Sequence, residues 1–253
     1  MDKTFGSAAK AYLTFCRKYG LRNVNPRAHH RITVYPELGV MYNRVKKNAN
    51  TTVVGLLREL ETGQSGHHRL AKKSSKRIND LTYDEAEGIW DYKLFTVIRN
   101  PYSRVLSAFL DKFRSGEFRQ RYGTFELTPD GFRDFIAWLE DGGLTKDAHW
   151  DLQKKLLILP LDRYDHIVRL ETFEQDMASL LHDRGITFDA ARLLGSHPTD
   201  QKKRTSSGSR LRLFYCPNVA RRVAELYRED FAALKYATEF PEPLAHSTAE
   251  SCL

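Results

Sequence analysis

The chain has 253 residues, 41% of them hydrophobic, with 15 glycines and 9 prolines; this is enough apolar material for one sizeable core and excludes a mainly disordered or collagen-like chain. Lys and Arg number 40 against 32 Asp and Glu, leaving a formal charge of +8 and a pI near 9.3, which suits an anionic partner such as a nucleotide, a nucleic acid or an acidic glycan or lipid surface. The three cysteines, Cys16, Cys216 and Cys252, are odd in number and lack Cys-x-x-Cys spacing, so neither a disulfide framework nor a zinc site is implied and a reducing compartment fits best.

Residues 1–30 read as a peripheral helix followed by the basic segment "RNVNPRAHHR". No apolar run reaches the roughly 18 residues that a membrane span needs, so the expectation is a soluble, cytoplasmic protein without stable membrane insertion. "ITVYPELGVMYNRV" reads as a hairpin feeding a strand at 40–45, and "TTVVGLLRELE" carries Val53, Leu56, Leu57 and Leu60 at helical spacing. The polar, basic stretch 63–76, "GQSGHHRLAKKSSK", is expected to be an exposed loop. "KLFTVI" at 93–98 has the compact apolar character of a buried parallel strand.

After that strand, Asn100 is placed to cap a helix and Pro101 to occupy its first position, where a missing N–H costs nothing. Val105, Leu106, Phe109, Leu110 and Phe113 form the apolar side of this helix, with Ser103, Arg104, Ser107 and Asp111 toward the other. Thr128-Pro129 starts a further helix with Phe132, Phe135, Ile136 and Leu139 inward. "HIVRLE" reads as another strand, entering a helix whose Thr172 and Gln175 have capping-box spacing and whose Gly185 can end it. A last helix is expected at about 217–234. Strands alternating with helices predict an α/β sheet layered by helices, organised as an extension at 1–30, one domain at 31–240 and a flexible tail at 241–253.

Two stretches carry chemistry. In "VKKNANTTVVGLL" a short strand-to-helix loop offers backbone N–H groups, two threonine hydroxyls and a positive helix end, which together make a phosphate cradle. Lys47, four residues before Thr51, can lie against the same anion, while Lys46 on the other side of an extended chain points away. In "FTVIRNPYSRVLSAF" an arginine fork, Arg99, precedes a helix bearing Ser107, a pairing that suits a phosphate. Taken singly, each stretch also reads as a capped helix beside surface charge. Gly-x-x-x-x-Gly-Lys-Ser/Thr is absent, so the first is no Walker A motif.

Together, Lys-x-x-x-Thr-Thr after one strand and Arg-Asn-Pro-x-x-Arg-x-x-Ser after a later one resemble the sulfotransferases that use 3'-phosphoadenosine 5'-phosphosulfate (PAPS). The chain is most similar to their Golgi carbohydrate branch, sulfotransferase family 2, whose Val-Pro-Lys-x-Gly-x-Thr stands here as "VKKNANT". "HWDLQ" at 149–153 resembles that branch's His-Trp-x-x-Gln, and "YDHIVRLETFEQDM" and "LYREDFAALKY" resemble its later segments. The similarity runs over roughly residues 32–236. It implies a parallel-sheet, P-loop-like sulfotransferase fold with helices on both faces and a small N-terminal hairpin extension. Lys46 replaces the family's proline, Ala49 replaces its glycine, and the family's cysteine pairs are missing, as expected for a version that never enters an oxidising lumen.

The resemblance further implies that Lys47, Asn48, Ala49, Asn50, Thr51 and Thr52 hold the 5'-phosphosulfate and that Arg99 and Ser107 hold the 3'-phosphate, both at carboxyl ends of strands. PAPS would be the donor, no metal would be required, and the acceptor would be a hydroxyl, expected on a carbohydrate or glycoconjugate. In-line sulfuryl transfer depends on positioning and charge stabilisation, with Lys47 against the leaving oxygen and a base for the acceptor proton. His67 or His68 is one choice of base by its place between the two donor motifs, and His149 is the other by its motif; Glu59, Glu61 and Glu85 complete the set. "DQKKRTSSGSR" at 200–210 is either a solvated basic loop or a lid over the donor through Lys202, Lys203, Arg204 and Ser206. Glu171 is expected to order the core and Trp90, Trp138 and Trp150 to pack, with Trp150 also placed beside His149 to meet an adenine or sugar ring. The rival classes are a non-carbohydrate sulfotransferase, a P-loop-like nucleotide kinase and a basic nucleic-acid-binding module; neither of the last two explains both loops, so no nucleic-acid partner is expected.

Overall fold

The computed structural model describes residues 3–63, 75–114, 116–187 and 210–241. Its strands β1 (Ile32–Tyr35), β2 (Val40–Asn43), β3 (Lys93–Ile98) and β4 (His166–Arg169) form one sheet in that order. The helices used below are α1 (Lys3–Tyr19), α2 (Asn50–Thr62), α3 (Tyr83–Glu87), α4 (Pro101–Lys112), α5 (Gly116–Tyr122), α6 (Pro129–Glu140), α7 (Gln153–Leu156), α8 (Phe173–His182), α9 (Pro217–Leu226) and α10 (Arg228–Leu234). The fold is the α/β class the sequence predicted, with helices on both sides of the sheet. β1 and β2 pair antiparallel as a hairpin, closed through Gly39 at φ 61, a left-handed conformation that glycine adopts without steric cost. β2–β3 and β3–β4 pair in parallel, and β3 is buried from Leu94 to Ile98, which accounts for its unbroken apolar run.

Chain contacts divide the protein into two compact units. One holds the chain up to Ile98 and again from Lys155, and so contains the whole sheet; the other holds Arg99–Lys154 and the described residues from 210 onward. In the first unit, α2 and α8 cover one sheet face by packing Val53, Val54, Leu57, Met177 and Leu181 on Tyr42, Phe95, Val97 and Val168. Asn43 lies on the alternate pleat, fully buried. Its amide donates to the Leu156 carbonyl at 3.3 Å and accepts from the Ile158 N–H at 2.7 Å and the Tyr164 hydroxyl at 2.5 Å, tying residues 156–164 to the sheet. α1 packs on α3 and is held by the Lys18 ammonium, which donates to the Ile89 and Tyr92 carbonyls at 3.0 and 2.5 Å.

The second unit is an aromatic helical core of Phe109, Phe113, Phe132, Phe135 and Trp150 with α9 and α10 against it. The single helix expected at 217–234 breaks at Tyr227 (φ −105, ψ 18). The Tyr227 hydroxyl donates to the Trp150 carbonyl at 2.6 Å, and Asp230 turns inward three residues later, so tertiary bonds override the helical period. Three other expectations are corrected. Thr172 forms no capping box with Gln175; its hydroxyl donates instead to Asp176, whose carboxylate also accepts the Arg169 N–H. Trp90 is 54% exposed rather than packed, and Glu171 is exposed. Cys16 is free and buried. Of the expected loop at 63–76, the basic run at 200–210 and the tail at 241–253, residues 64–74, 200–209 and 242–253 lie outside the described residues. No helix among the described residues is long and apolar enough to cross a membrane.

Candidate active site

β2 ends at Asn43 and α2 begins at Asn50, so six residues carry the chain over the top of the sheet. Two of them, Lys47 (φ 70) and Ala49 (φ 52), adopt left-handed backbone, and Ala49 is the N-cap of α2. Left-handed residues alternating with ordinary ones curl successive N–H groups to one side, the concave form that binds anions, and the α2 start adds its positive end. The Asn48 side chain is buried and donates to the Val97 carbonyl at 2.7 Å, pinning the loop to the carboxyl end of β3. Asn50 accepts from the Tyr42 hydroxyl at 2.7 Å, and Tyr42 stacks on Phe95 at 4.8 Å. Thr51 is exposed, while Lys46, Lys47 and Thr52 are half-buried.

In the second unit Arg99 is half-buried and precedes the Asn100 cap, whose side chain accepts from the Tyr102 N–H at 3.0 Å as predicted. The Arg99 Nε donates to Ser103 Oγ at 2.9 Å. Ser103 and half-buried Ser107 follow one another by a turn along α4. Arg104, expected on the polar side, is instead 1% exposed; its guanidinium donates to the Asp151 and Ala148 carbonyls at 2.8 and 3.2 Å. That turn is held further by Trp150, fully buried with its Nε1 donating to the Gly143 carbonyl at 3.0 Å. Trp150 is therefore a packing residue.

His149 stands on the same turn. Its Nδ1 lies 2.5 Å from Asp147 Oδ1, which also accepts the His149 main-chain N–H at 2.9 Å, and Asp147 Oδ2 accepts from Tyr122 at 3.2 Å. Burial opposes ionisation of Asp147, but the His149 contacts and the Tyr122 hydroxyl outweigh it and hold the carboxyl below the ordinary range. A histidine oriented by a carboxylate through Nδ1 presents Nε2 for proton transfer, the arrangement general bases use. Of the carboxylates in the set, Glu61 is half-buried, and burial raises its pKa. In Glu85 burial is outweighed by the Lys76 ammonium and the Thr82 groups, so its pKa is lowered and it serves as ion pair and cap.

The structure thus places the loop residues Lys47 to Thr52 together in one unit, and Arg99, Ser107 and His149 in the other. His67, His68, Lys202, Lys203, Arg204 and Ser206 lie outside the described residues. Sequence reasoning assigned no task to Ser103, Asp147, Gln153 or Asp230. The signals were there for two of them: Asp147 stands two residues before His149, and Gln153 is the last member of "HWDLQ". Among the described residues no cluster of three or more His, Cys, Asp or Glu is arranged to hold a metal.

Comparison with known proteins matches residues 30–237 to a family model described as "Sulfotransferase family". Among curated proteins, the chain is similar to carbohydrate sulfotransferase 9 of Homo sapiens, with 26% identity over 194 residues. The match covers 64% of this chain and 43% of that protein, so the chain spans less than half the relative's length. No solved structure matches.

Proposed function

The chain belongs to the sulfotransferase family, and we propose that it moves the sulfuryl group of PAPS to a hydroxyl of a carbohydrate or glycoconjugate, with release of 3',5'-ADP. The observation that carries the donor assignment is the strand-to-helix loop, in which Lys47 and Ala49 hold left-handed backbone at the mouth of α2. Such a loop fits an anion through N–H groups and helix end together. The family pattern assigns the 5'-phosphosulfate to Lys47–Thr52 and the 3'-phosphate to Arg99 and Ser107. Lys203 and Arg204 belong to a basic run that is either a solvated loop or, by the family resemblance, a lid over the same phosphate. The carbohydrate acceptor is supported by the branch resemblance and by the similarity to human carbohydrate sulfotransferase 9.

In this reading the acceptor oxygen attacks sulfur as the sulfur–oxygen bond to the 5'-phosphate breaks. The acceptor proton passes to a base, and the Lys47 ammonium neutralises the departing phosphate oxygen. His149, oriented by Asp147, has the geometry of that base; His67 and His68 are the competing assignment. With Lys47 supplying the charge, turnover is expected to persist in EDTA, whereas a nucleotide kinase would stop.

Calorimetric titration with 3',5'-ADP tests the donor reading: the wild type binds, and Lys47→Ala and Arg99→Ala bind at least about tenfold more weakly. A folded wild type that does not bind would sink the proposal. A screen with labelled PAPS then identifies the acceptor. His149→Ala against His68→Ala assigns the base by which one loses turnover while keeping donor affinity.

A further inference from the structure

Arg99 occupies an awkward place in the chain: β3 has ended at Ile98, and α4 does not begin until Pro101. Backbone N–H and C=O groups at such a junction need partners from elsewhere. Both come from one side chain. Gln153 Oε1 accepts the Arg99 N–H at 3.1 Å, and Gln153 Nε2 donates to the Arg99 carbonyl at 2.8 Å. A primary amide donates and accepts side by side in this way, whereas an ionised carboxylate can only accept.

Gln153 is itself immobilised. It is fully buried, and its main-chain N–H donates to Asp230 Oδ2 at 2.7 Å while the Lys154 N–H donates to Asp230 Oδ1 at 2.9 Å. Asp230 is also fully buried. On the far side, Arg99 Nε is held by Ser103 Oγ, which donates to the Asn100 carbonyl at 3.1 Å. A continuous chain of bonds therefore runs from Asp230 through Gln153 to the Arg99 backbone and on to its guanidinium.

We infer that Gln153 is a positioning residue for donor selection: by clamping both main-chain groups of Arg99, it fixes the guanidinium that distinguishes a 3'-phosphate. This rests on the assignment of the 3'-phosphate to Arg99. An arginine whose backbone and Nε are already held has less freedom to lose on binding, so affinity for the group it meets rises without a new contact.

The test is the preference for 3',5'-ADP over 5'-AMP, which differ only by the 3'-phosphate, measured calorimetrically on the wild type, Arg99→Ala, Gln153→Met and Gln153→Glu. Gln153→Met should lower 3',5'-ADP affinity about tenfold and leave 5'-AMP affinity unchanged. Gln153→Glu should behave like Gln153→Met at neutral pH, because a carboxylate cannot donate to the Arg99 carbonyl. It should regain preference, relative to wild type at the same pH, as acid protonates it. If Arg99→Ala keeps the preference, the reading of Arg99 itself is wrong. If Arg99→Ala loses it while Gln153→Met keeps it, the role of Gln153 is overturned. Should the Gln153 variants not fold, amide exchange in the wild type decides: Arg99 N–H should be protected, and further protected by 3',5'-ADP but not by 5'-AMP. Rapid exchange at Arg99 in the unliganded protein would overturn the clamp.

Discussion

Ala49 departs from the family pattern yet holds a left-handed backbone of the kind glycine favours. The family has glycine there, and this chain's alanine still takes φ 52, where a Cβ crowds the carbonyl at a cost of roughly 1–2 kcal/mol. Ala49→Gly removes that crowding but frees the unfolded chain, so the expected net gain is about 1 kcal/mol, read as a higher melting temperature with 3',5'-ADP binding retained. Lys47, left-handed too, does not admit the same exchange, because its ammonium is assigned to the leaving oxygen. Asp147 gives a pH signature. Its carboxyl is held below the ordinary range, so its ionised form stabilises the fold above that range, and the contribution disappears as pH falls through the lowered value. The stability gap between wild type and Asp147→Asn, followed by urea melts, should be widest near neutral pH and close in acid; a gap constant with pH would contradict this.

At the level of elements, legibility followed the locality of the cause. β3 came out at its predicted bounds because a buried parallel strand needs an unbroken apolar run, and the start of α4 at Pro101 because Asn100 and Pro101 form a local cap. The helix expected at 217–234 was misread where Tyr227 and Asp230 answer to the distant 150–154 turn. Arg104 was misread for the same reason: helical spacing put it with Ser103 and Ser107, yet it is buried beneath the Ala148–Asp151 turn. Arg104→Met would leave those carbonyls without a donor and remove the cation that opposes the burial-raised pKa of the Asp230 carboxyl. A loss of about 3 kcal/mol or more is expected in chemical denaturation; a loss below about 1 kcal/mol would mean the turn is held by Trp150 and Tyr227 instead.

For the molecule as a whole, the formal charge of +8 predicts that 3',5'-ADP association slows as salt rises from low to physiological ionic strength, since long-range attraction is screened beyond about 8–10 Å. Stopped-flow association rates that ignore salt would show the excess charge lies away from the approach route. The division into two units was not visible as a change in composition, because each unit is assembled from separated stretches and the chain passes from one to the other directly at Ile98–Arg99 and Lys154–Lys155.

The sequence by itself determined the α/β class, the hairpin, the central strand and the Asn100–Pro101 start of α4, since periodicity, capping and turn chemistry act over a few residues. Only the tertiary structure decided that Ala49 keeps a glycine-like backbone, that Arg104 is internal, that Asp147 orients His149 and that Gln153 grips Arg99. The Arg104 and Gln153 contacts join residues 44 to 54 positions apart, and a buried polar group takes whichever partner the folded chain brings to it.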